Sequence, residues 1–549
     1  MVLVWAARWV GAPGEVGIDE GVAVLQAQAL ADDGAWTLDH PLEAVDPAGS
    51  AFPLRSTSRT EDGYVPFAKH PLYPRLLAWT DDVGGVAAMV GLSIAGAVVA
   101  AMAAGWLAGR LDRRLAAPSL WVTGVASPLL FDSGIVLAHT LGAAAAGLGA
   151  VAVVRHLDEG RAVSRWLAVV APCVAAVVLL RGEGILLAGA VAAVTGGVAV
   201  ARRHAAWGSA ALSVAVLGGV SLLADRRWSS SILGASIGLP GGTAADDSLL
   251  EGRIAGLVTT TVRPSYAADD RHLLLIGGVA LLAIVVLALR RGGSDERMAG
   301  GAAAVSAALV VLWAVSGRPG PVPGLLLAFP VLWVGLALGR WGREPAARAL
   351  VAVGAVFAGA VAATQYRQGG GFEWGARYVA LALPLVVPVA VLGLARAWDA
   401  IDDRRVGRAV AVGLAVTTLA LGGVAIASQQ RLGGFNRSFG SELIAVAPDS
   451  RLGGGDRDGR PIIVGADFLI PQLVWPQYDR ARWLRIRGDG PIVVDGPDPR
   501  VEALFDAGVD RFTFVTRDLD RDRPLLGEAR LVSRREQRGW EVAVVEPPS

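Results

Sequence analysis

The chain has 549 residues, 53% of them hydrophobic and 18% charged, with a formal net charge of +1. Soluble proteins carry about a quarter charged residues, and a near-neutral chain without basic stripes gives no indication of nucleic-acid binding. Cys173 is the only cysteine, which excludes a disulfide framework and a cysteine metal site. The apolar residues fall in long blocks, and blocks of about 17–25 residues match the bilayer core and satisfy their backbone only as helices. A polytopic membrane protein is therefore expected.

Twelve apolar blocks predict transmembrane helices within residues 1–427. Residues 2–12 resemble the end of one more helix but are too short to span a bilayer, so that helix is expected to begin upstream or to be incomplete. The predicted fold class is an α-helical polytopic membrane protein with about 12–13 transmembrane helices. The blocks are 83–108, 116–131, 134–154, 166–180, 184–200, 208–224, 273–289, 299–315, 325–339, 349–364, 378–395 and 409–427.

Arginines cluster in alternate loops between these blocks, and positive residues stay on the cytoplasmic side. This pattern assigns 13–82, 225–272, 316–324, 365–377 and the tail from 428 to the outer side. The protein is expected in the plasma (inner) membrane, with two large outer loops, 13–82 and 225–272. The arginines of the cytoplasmic loops are Arg110, Arg113, Arg114, Arg155, Arg161, Arg165, Arg202, Arg203, Arg290, Arg291, Arg297, Arg340, Arg343, Arg348, Arg396, Arg404, Arg405 and Arg408.

The tail, residues 428–549, has the pattern of a small soluble α/β domain. Four short apolar runs predict strands, residues 499–507 have helical spacing, and Gly and Asp cluster at the joints as turns require. No Gly-rich phosphate loop follows a strand, so catalysis is not assigned to the tail. Its expected role is to pack over the membrane portion. The predicted strands are 461–465, 481–486, 511–515 and 541–545.

Two acids, Asp19 and Glu20, open the first outer loop. Downstream, Ile18, Val22, Leu25 and Ala29 repeat at helical spacing, which predicts a helix with one apolar stripe lying along the membrane surface. The acids then lie at its N-terminus, at the lipid–water boundary. Ordinary capping and dipole residues occupy the same position in many helices, and this alternative stays open.

Lys69 is the only lysine among the 50 basic residues. It lies in the run Phe67-Ala-Lys69-His70-Pro71, close to the second apolar block. A lysine near the membrane surface is a point charge suited to a phosphate, although it can also place its ammonium at the interface without a ligand. Lys69 is therefore a candidate phosphate ligand.

Three further outer edges of the membrane portion carry polar residues. Arg181-Gly-Glu183-Gly184 interrupts two apolar blocks, as a tight turn with an internal ion pair or as a functional pair. Asp132 is a candidate acid in the preceding outer turn, whereas His139 is expected to be structural. The run 369–378 combines three glycines with Trp374, Arg377 and Tyr378 at a helix start, which favours an anion cradle over a flexible spacer.

With these pieces in order, the chain resembles the GT-C superfamily of membrane glycosyltransferases, in the branch of protein O-mannosyltransferases and aminoarabinose transferases. Lys69-His70-Pro71-Leu72-Tyr73 is similar to a Lys-Pro-Pro-Leu-Tyr-like run of relatives, and Arg181-Gly-Glu183 to their Arg-Pro-Glu. Trp374-Gly-Ala-Arg377-Tyr378 is similar to Trp-Gly-Pro-Arg-Tyr, and Asp19-Glu20 follows the first helix as in relatives. The likeness covers most of residues 1–427. The chain departs in its short first helix and in the second acid, for which Asp132 is a loose candidate.

The resemblance implies sugar transfer, hexosyl or pentosyl, from a polyprenyl-phosphate donor to a glycan, lipid or protein acceptor of the cell envelope. The donor phosphate needs fixed cations, and an acceptor hydroxyl needs a carboxylate that takes its proton. Asp19 is the expected base of an inverting displacement, with Glu20 as neighbour or substitute and Asp132 as second acid. A divalent metal is conceivable, but no ligand cluster argues for one, so no cofactor is assigned. The expected donor-phosphate ligands are Lys69, His70, Arg181 and Arg377, and the other expected site residues are Glu183, Trp374 and Tyr378.

Two alternatives come from other classes. A transporter is expected to place ionisable residues near mid-membrane in broken helices, whereas most charges here lie in the loops. A non-catalytic membrane scaffold with the tail as binding module is the other alternative.

Overall fold

The computed structural model describes residues 1–12, 17–54, 57–234, 324–337, 340–364, 374–375, 377–400, 404–452, 459–466, 469–486 and 496–549. Among these residues, six helices are long and apolar enough to cross a membrane. The predicted fold class, a helical membrane protein with a small C-terminal α/β part, is confirmed. The predicted helices 273–289 and 299–315, most of the loop 225–272 and residues 369–373 lie outside the described residues. The six helices are Leu72–Leu111, His139–Glu159, Gly184–Arg202, Ala205–Leu233, Pro345–Thr364 and Arg377–Asp399.

The described helices are numbered here in chain order, with short 3₁₀ and π segments left unnumbered. The first nine are α1 Val2–Val10, α2 Ile18–Asp32, α3 Leu72–Leu111, α4 Ala116–Trp121, α5 Leu129–Asp132, α6 His139–Glu159, α7 Trp166–Leu180, α8 Gly184–Arg202 and α9 Ala205–Leu233. The remainder are α10 Leu325–Ala328, α11 Pro330–Ala337, α12 Pro345–Thr364, α13 Leu383–Asp399, α14 Arg404–Val446, α15 Leu469–Leu473, α16 Pro499–Asp506 and α17 Leu519–Asp522.

The chain divides into two compact units. The first unit comprises Met1–Pro13, Ala87–Trp228 and Ala244–Gln430, and the second comprises Gly14–Val86, Ser229–Thr243 and Arg431–Ser549. The second unit therefore joins the first outer loop to the C-terminal tail. The domain boundary expected between residues 427 and 428 stays a prediction.

The first unit is a helical bundle arranged around the segment Arg377–Asp399. Of the apolar window of this segment 83% is buried, against 28% for Gly184–Arg202 and for Ala205–Leu233. Small residues let its backbone approach α11, because a methyl group on Gly335 would lie 2.2 Å from the carbonyl oxygen of Ala390. Close backbone contact of this kind is how helices associate in lipid. Arg377–Asp399 is therefore a central helix of the first unit.

Two predicted spans of the first unit are not continuous helices. The block 116–131 consists of α4, a π-helical turn Val122–Ala126 and α5, with extended backbone at Ser127. The block 325–339 is interrupted at Phe329, between α10 and α11. In both places the next residue is proline, which disfavours the helical conformation of the residue before it. These two predicted spans are therefore interrupted helices.

The second unit contains a five-stranded mixed sheet. Its strands are β3 Ile462–Gly465, β4 Arg482–Arg485, β5 Phe512–Thr516, β6 Arg530–Gln537 and β7 Trp540–Glu546, in the order β4-β3-β5-β7-β6. The pairs β3–β4 and β3–β5 are parallel, and β7 runs antiparallel to β5 and β6. Every residue of β3 and β5 is buried, as expected for central strands covered on both faces. The four predicted strands and the helix α16 are confirmed, and β6 is an additional strand.

The loop before α3 folds onto this sheet. It forms the hairpin β1 Ser58–Thr60 and β2 Gly63–Val65, and Leu42, Val45 and Ala51 belong to the hydrophobic core that β3 and β5 line. The carbonyl of Ala51 accepts a hydrogen bond from the Arg485 N–H at 3.0 Å, which covers the edge strand β4. The loop and the tail are therefore one folded body.

The helix α2 begins at Ile18, as its spacing predicts, but it is not an amphipathic surface helix. Val22 and Leu25 are buried as expected, and Ala23, Val24 and Ala27 on the other faces are buried as well. A helix that is buried on all of its faces is an interior helix. The predicted single apolar stripe was therefore wrong, and the position along the membrane surface stays a prediction.

Candidate active site

The acids predicted as catalytic lie in the first turn of α2. Gly17 has extended backbone, and Asp19 and Glu20 follow immediately. The unsatisfied N–H groups at a helix N-terminus carry partial positive charge, which favours carboxylates in the first turn. Glu20 is fully buried, whereas the side chain of Asp19 is 20% exposed. Of the two acids, Asp19 is the one that solvent reaches.

Lys69 pairs with Asp19. Its ammonium nitrogen lies 2.7 Å from Oδ1 of Asp19, and its side chain is 37% exposed. The same ammonium lies 5.4 Å from the centroid of the Phe67 ring, within the range of a cation–π contact. A carboxylate and an ammonium thus form a charge-assisted hydrogen bond at an accessible surface of the second unit.

Buried Gln26 holds the segment that carries Lys69. Its side-chain carbonyl accepts from the Phe67 N–H at 3.5 Å, and its amide donates to the Trp36 carbonyl at 3.0 Å. The Phe67 carbonyl in turn accepts from the Lys69 N–H at 2.8 Å. Gln26 and Asp19 both lie on α2. The hydrogen bond to Gln26 therefore attaches the segment that carries Lys69 to the same helix that carries Asp19. Half-buried His70 follows, at the start of α3.

The first unit carries the other predicted site residues. Asp132 ends α5 and His139 begins α6, and both are buried. Ser127 holds the break before α5, because its hydroxyl donates to the Thr123 carbonyl at 2.5 Å and accepts from the Leu129 N–H at 3.2 Å. The irregular backbone at this depth is therefore satisfied by a side chain, as a membrane interior requires.

Arg181 and Glu183 form a two-bond pair in the turn between α7 and α8. The guanidinium donates to the two carboxylate oxygens at 3.1 and 2.8 Å. The side chains are 16% and 4% exposed, so the pair is largely buried. This is the geometry of the tight turn with an internal ion pair, the structural alternative that the sequence left open.

Trp374, Gly375 and Arg377 lie beside the segment of Asp132. The Trp374 ring stacks on Phe131 at 6.3 Å, and Gly375 has φ +77°. A methyl group on Gly375 would lie 2.3 Å from Cγ of Pro128, so only glycine fits there. The Arg377 guanidinium lies 4.9 Å from the centroid of the Tyr378 ring and donates to its hydroxyl at 3.2 Å.

Each unit thus brings some of the predicted residues together. The second unit joins Asp19 to Lys69, with Glu20 and His70 as chain neighbours. In the first unit, the residues before Asp132 pack on Trp374 and Gly375. Gly142 of α6 contacts both Arg181 and Leu381, which places the Arg181 turn beside the 3₁₀ segment Arg377–Ala382.

Sequence reasoning missed Gln26 and Gly21. The glycine carried a sequence signal, because it is the only glycine within α2, whereas Gln26 carried none that sets it apart from Gln28. Among the residues that the structure describes, no group of three or more His, Cys, Asp or Glu side chains is arranged to hold a metal ion.

Comparison with known proteins gives similarity to solved structures. No family model and no curated protein matches the chain. The archaeal oligosaccharyltransferase AglB from Archaeoglobus fulgidus, in complex with an inhibitory peptide and a dolichol-phosphate, matches 94% of this chain and 69% of its own, at 13% identity and TM-score 0.44. ArnT from Cupriavidus metallidurans in the apo state matches 99% of this chain and 97% of its own, at 13% identity and TM-score 0.47. ArnT bound to undecaprenyl phosphate matches over the same shares, at 16% identity and TM-score 0.44.

The first of these structures is an oligosaccharyltransferase, and all three are at most 16% identical to this chain. Their TM-scores lie below 0.5, so they assign no role to any residue. The function proposed below rests on this chain's own side chains.

Proposed function

We propose that this protein is a membrane glycosyltransferase that moves a sugar from a polyprenyl-phosphate donor to an acceptor hydroxyl. The observation that carries the proposal is the 2.7 Å contact between Lys69 Nζ and Asp19 Oδ1. It supplies, within one accessible pair, a cation suited to a phosphate and a carboxylate suited to a hydroxyl proton. These are the two groups that transfer from a sugar phosphate requires of a protein.

Asp19 acts as the general base in this scheme. The acceptor hydroxyl donates a hydrogen bond to the Asp19 carboxylate and passes its proton there as its oxygen bonds to the anomeric carbon. The bond from that carbon to the phosphate oxygen breaks, and direct displacement inverts the anomeric centre. The phosphate leaves as a stable anion, so no general acid is needed. Buried Glu20 keeps the role of neighbour or substitute.

Lys69 exchanges partners in the same scheme. Without donor it neutralises Asp19, and with donor its ammonium turns to the phosphate, which gains negative charge as its bond to the sugar breaks. The exchange moves Lys69 away from Asp19 only when a donor is present, and the carboxylate then accepts the hydroxyl proton. The exposure of both side chains supports this exchange, because an exposed pair contributes only about 0–1 kcal/mol and is easily separated.

The remaining roles are proposals from the sequence. His70, Arg181 and Arg377 are proposed as further ligands of the donor phosphate, Asp132 as second acid, and Glu183, Trp374 and Tyr378 as other site residues. The pairing of Arg181 with buried Glu183 supports a structural part in its turn and weakens its case as a phosphate ligand. The acceptor is proposed to be a glycan, lipid or protein of the cell envelope, on the extracytoplasmic face of the plasma membrane.

Transfer of radiolabelled sugar in isolated membranes tests the proposal. Polyprenyl-phosphate donors carrying hexoses and pentoses are compared, and the preferred donor decides between hexosyl and pentosyl transfer. Replacing a general base lowers the rate about 10²–10⁴-fold, and this loss is expected for Asp19→Asn. The matched control is Asp33→Asn, at the exposed end of the same helix.

Three outcomes are informative. Loss in Asp19→Asn with full activity in Asp33→Asn supports both the enzyme class and the base. Full activity in Asp19→Asn keeps the class and moves the base to Glu20 or Asp132. Wild-type membranes that transfer sugar from none of the donors overturn the proposal.

A further inference from the structure

A segment of the C-terminal tail contacts the helix turn that carries Asp19. Gly21 lies two residues after Asp19 on α2, and a methyl group there would lie 2.1 Å from the backbone oxygen of Gln472. It would also lie 3.1 Å from Cδ1 of Trp475. Two backbones therefore meet at Gly21, in a contact that leaves no room for any side chain.

The same tail segment also contacts α14. A methyl group on Gly440 would lie 2.9 Å from Cβ and 3.0 Å from Cγ1 of Val474. Gln472, Val474 and Trp475 are all buried. Residues 469–475 therefore contact both α2 and α14, and each helix has a glycine at the point of close approach. We call residues 469–475 the wedge segment.

The wedge segment belongs to the connection between the adjacent parallel strands β3 and β4. Its last turn is closed by the hydrogen bond from the Val474 N–H to the Ile470 carbonyl at 3.0 Å. The 3₁₀ turn that follows is fixed to β4, because the indole N–H of Trp483 donates to the Tyr478 carbonyl at 2.9 Å. Buried strands on either side of the connection thus hold the wedge segment, and through it the first turn of α2, to the sheet.

We propose that the wedge segment positions the Asp19 turn, with Gly21 as the positioning residue. The inference rests on the proposed function and extends it, because it gives the tail a role in catalysis without a catalytic group. The neighbour of Gly21 is a backbone carbonyl, which a side-chain rotation cannot move away. A side chain at position 21 forces α2 and the wedge segment apart, and this changes the position of the Asp19 carboxylate relative to the sheet.

The size of the expected effect follows from the tolerance of catalysis to misplacement. A shift of about 1 Å in a catalytic group lowers the rate about 100-fold. Relief of a 2.1 Å contact requires a displacement of this order. A Gly21→Ala variant is therefore expected to lose about 100-fold in kcat. The KM for the donor is expected to stay within about twofold, because Lys69 is retained.

The experiment compares Gly21→Ala with Gly434→Ala. Gly434 also belongs to the second unit and to a helix, but a methyl group there meets no atom within 4 Å. Two readouts are taken on full-length protein in detergent: kcat and KM for transfer, and hydrogen–deuterium exchange of the amides of residues 18–25. Faster exchange at 18–25 together with reduced kcat is expected in Gly21→Ala alone.

A second variant guards against misfolding of Gly21→Ala. Trp475→Ala removes packing against Gly21 and introduces no clash, so it is expected to raise exchange at residues 18–25 and to lower kcat with the same unchanged KM. Unchanged kcat in both variants overturns the positioning role. Unchanged exchange at 18–25 in both variants overturns the contact itself.

The failure of this inference is distinguishable from that of the proposed function. If the wild type and both variants, Gly21→Ala and Trp475→Ala, transfer sugar at the same rate, the positioning role is overturned and the enzyme class remains supported. Wild type that transfers no sugar overturns both proposals, and exchange then reports only on the packing of α2.

Discussion

Two ion pairs contain residues predicted to bind the donor phosphate, and the chain makes them in different ways. Arg181 and Glu183 are two residues apart, in one turn, with side chains only 16% and 4% exposed. Lys69 and Asp19 are fifty residues apart, on separate elements, and 37% and 20% exposed. The first pair is explained by its turn. The second is explained neither by chain proximity nor by stability, because an exposed pair contributes about 0–1 kcal/mol.

This difference separates structure from function. A buried charge left without its partner destabilises a protein strongly, whereas an exposed one is solvated by water. Substitution of Arg181 should therefore act on folding, and substitution of Lys69 on activity. Three predictions test the comparison, from the largest expected effect to the smallest.

The first prediction concerns Arg181→Met. It leaves the buried Glu183 carboxylate without its guanidinium, which is expected to lower the free energy of unfolding by about 3–5 kcal/mol. Chemical unfolding of purified protein in detergent measures the loss. The double variant Arg181→Met/Glu183→Leu removes both charges and is expected to recover most of the stability.

Sugar transfer by that double variant then decides the role of Arg181. Activity near that of wild type would remove Arg181 from the phosphate ligands and leave it as part of the turn. A stable but inactive double variant would contradict the separation drawn above, since the buried pair would then serve both purposes.

The second prediction concerns Lys69→Ala. The loss of the phosphate ligand is expected to lower kcat/KM for the donor about 100-fold, a free-energy change of about 2.7 kcal/mol. Unfolding is expected to change by at most about 1 kcal/mol. Steady-state transfer and chemical unfolding of the same preparations measure both quantities.

The matched control is Arg110→Ala, which breaks another exposed pair of the same 2.7 Å length, with Asp158. It is expected to change neither transfer nor unfolding. Equal losses of activity in the two variants would show that any exposed pair matters, and would remove the special role of Lys69.

Much of the fold followed from the sequence. Block length predicted membrane spans, and short buried runs bounded by Gly and Asp predicted four of the five strands of the tail sheet. The edge strand β6 was missed because the residues of Arg530–Gln537 are mostly polar and exposed. Its strand conformation comes from pairing with β7, which local composition does not encode. The proline at position 128 is a sequence signal for the helix break at Ser127. A prediction from the length of the apolar block alone does not use that signal.

The site was less predictable than the fold. The sequence indicates Asp19 by its place at a helix start and Lys69 as the only lysine, but it does not link the two residues. The elements that carry them are held by long-range contacts, which involve the buried amide of Gln26 and the backbone of Gln472 in the tail. Long-range packing of this kind leaves only weak local signals, such as the lone Gly21 within α2. The catalytic and binding roles themselves stay predictions.

The first outer loop holds a third pair, which sharpens the comparison within a single loop. His40 and Asp46 are both buried. The Leu42 N–H donates to Nδ1 of His40 at 3.0 Å, so Nε2 carries the proton that faces Asp46 Oδ2 at 3.2 Å. Asp46 also accepts from the Ala51 N–H at 2.6 Å and from the Ser50 hydroxyl at 3.0 Å. Burial raises the pKa of the Asp46 carboxyl, but these hydrogen bonds outweigh it and lower the pKa to about 2.

The third prediction follows from this lowered pKa. A carboxyl with a folded-state pKa near 2 and an unfolded value of about 3.9 contributes about 2 kcal/mol of stability. This contribution is complete above about pH 4 and is lost as the pH falls towards 2. Asp46→Asn is therefore expected to destabilise the protein by about 2 kcal/mol at pH 7 and to lessen the loss of stability on acidification. Sugar transfer at neutral pH should persist in the folded fraction, because the buried His40–Asp46 pair is expected to act on folding and not on activity.

Unfolding midpoints at pH 7, 4 and 3 measure this effect, with Asp33→Asn as the exposed control. A variant as stable as wild type at pH 7 would contradict the stabilising role of the buried network. A stable Asp46→Asn variant without transfer would place the His40–Asp46 pair on the functional side of the comparison. The N–H of Ala51 binds Asp46, and the carbonyl of Ala51 accepts from the edge strand β4. Loss of the His40–Asp46 pair should therefore loosen the attachment of the first loop to the sheet before it affects the Asp19–Lys69 pair.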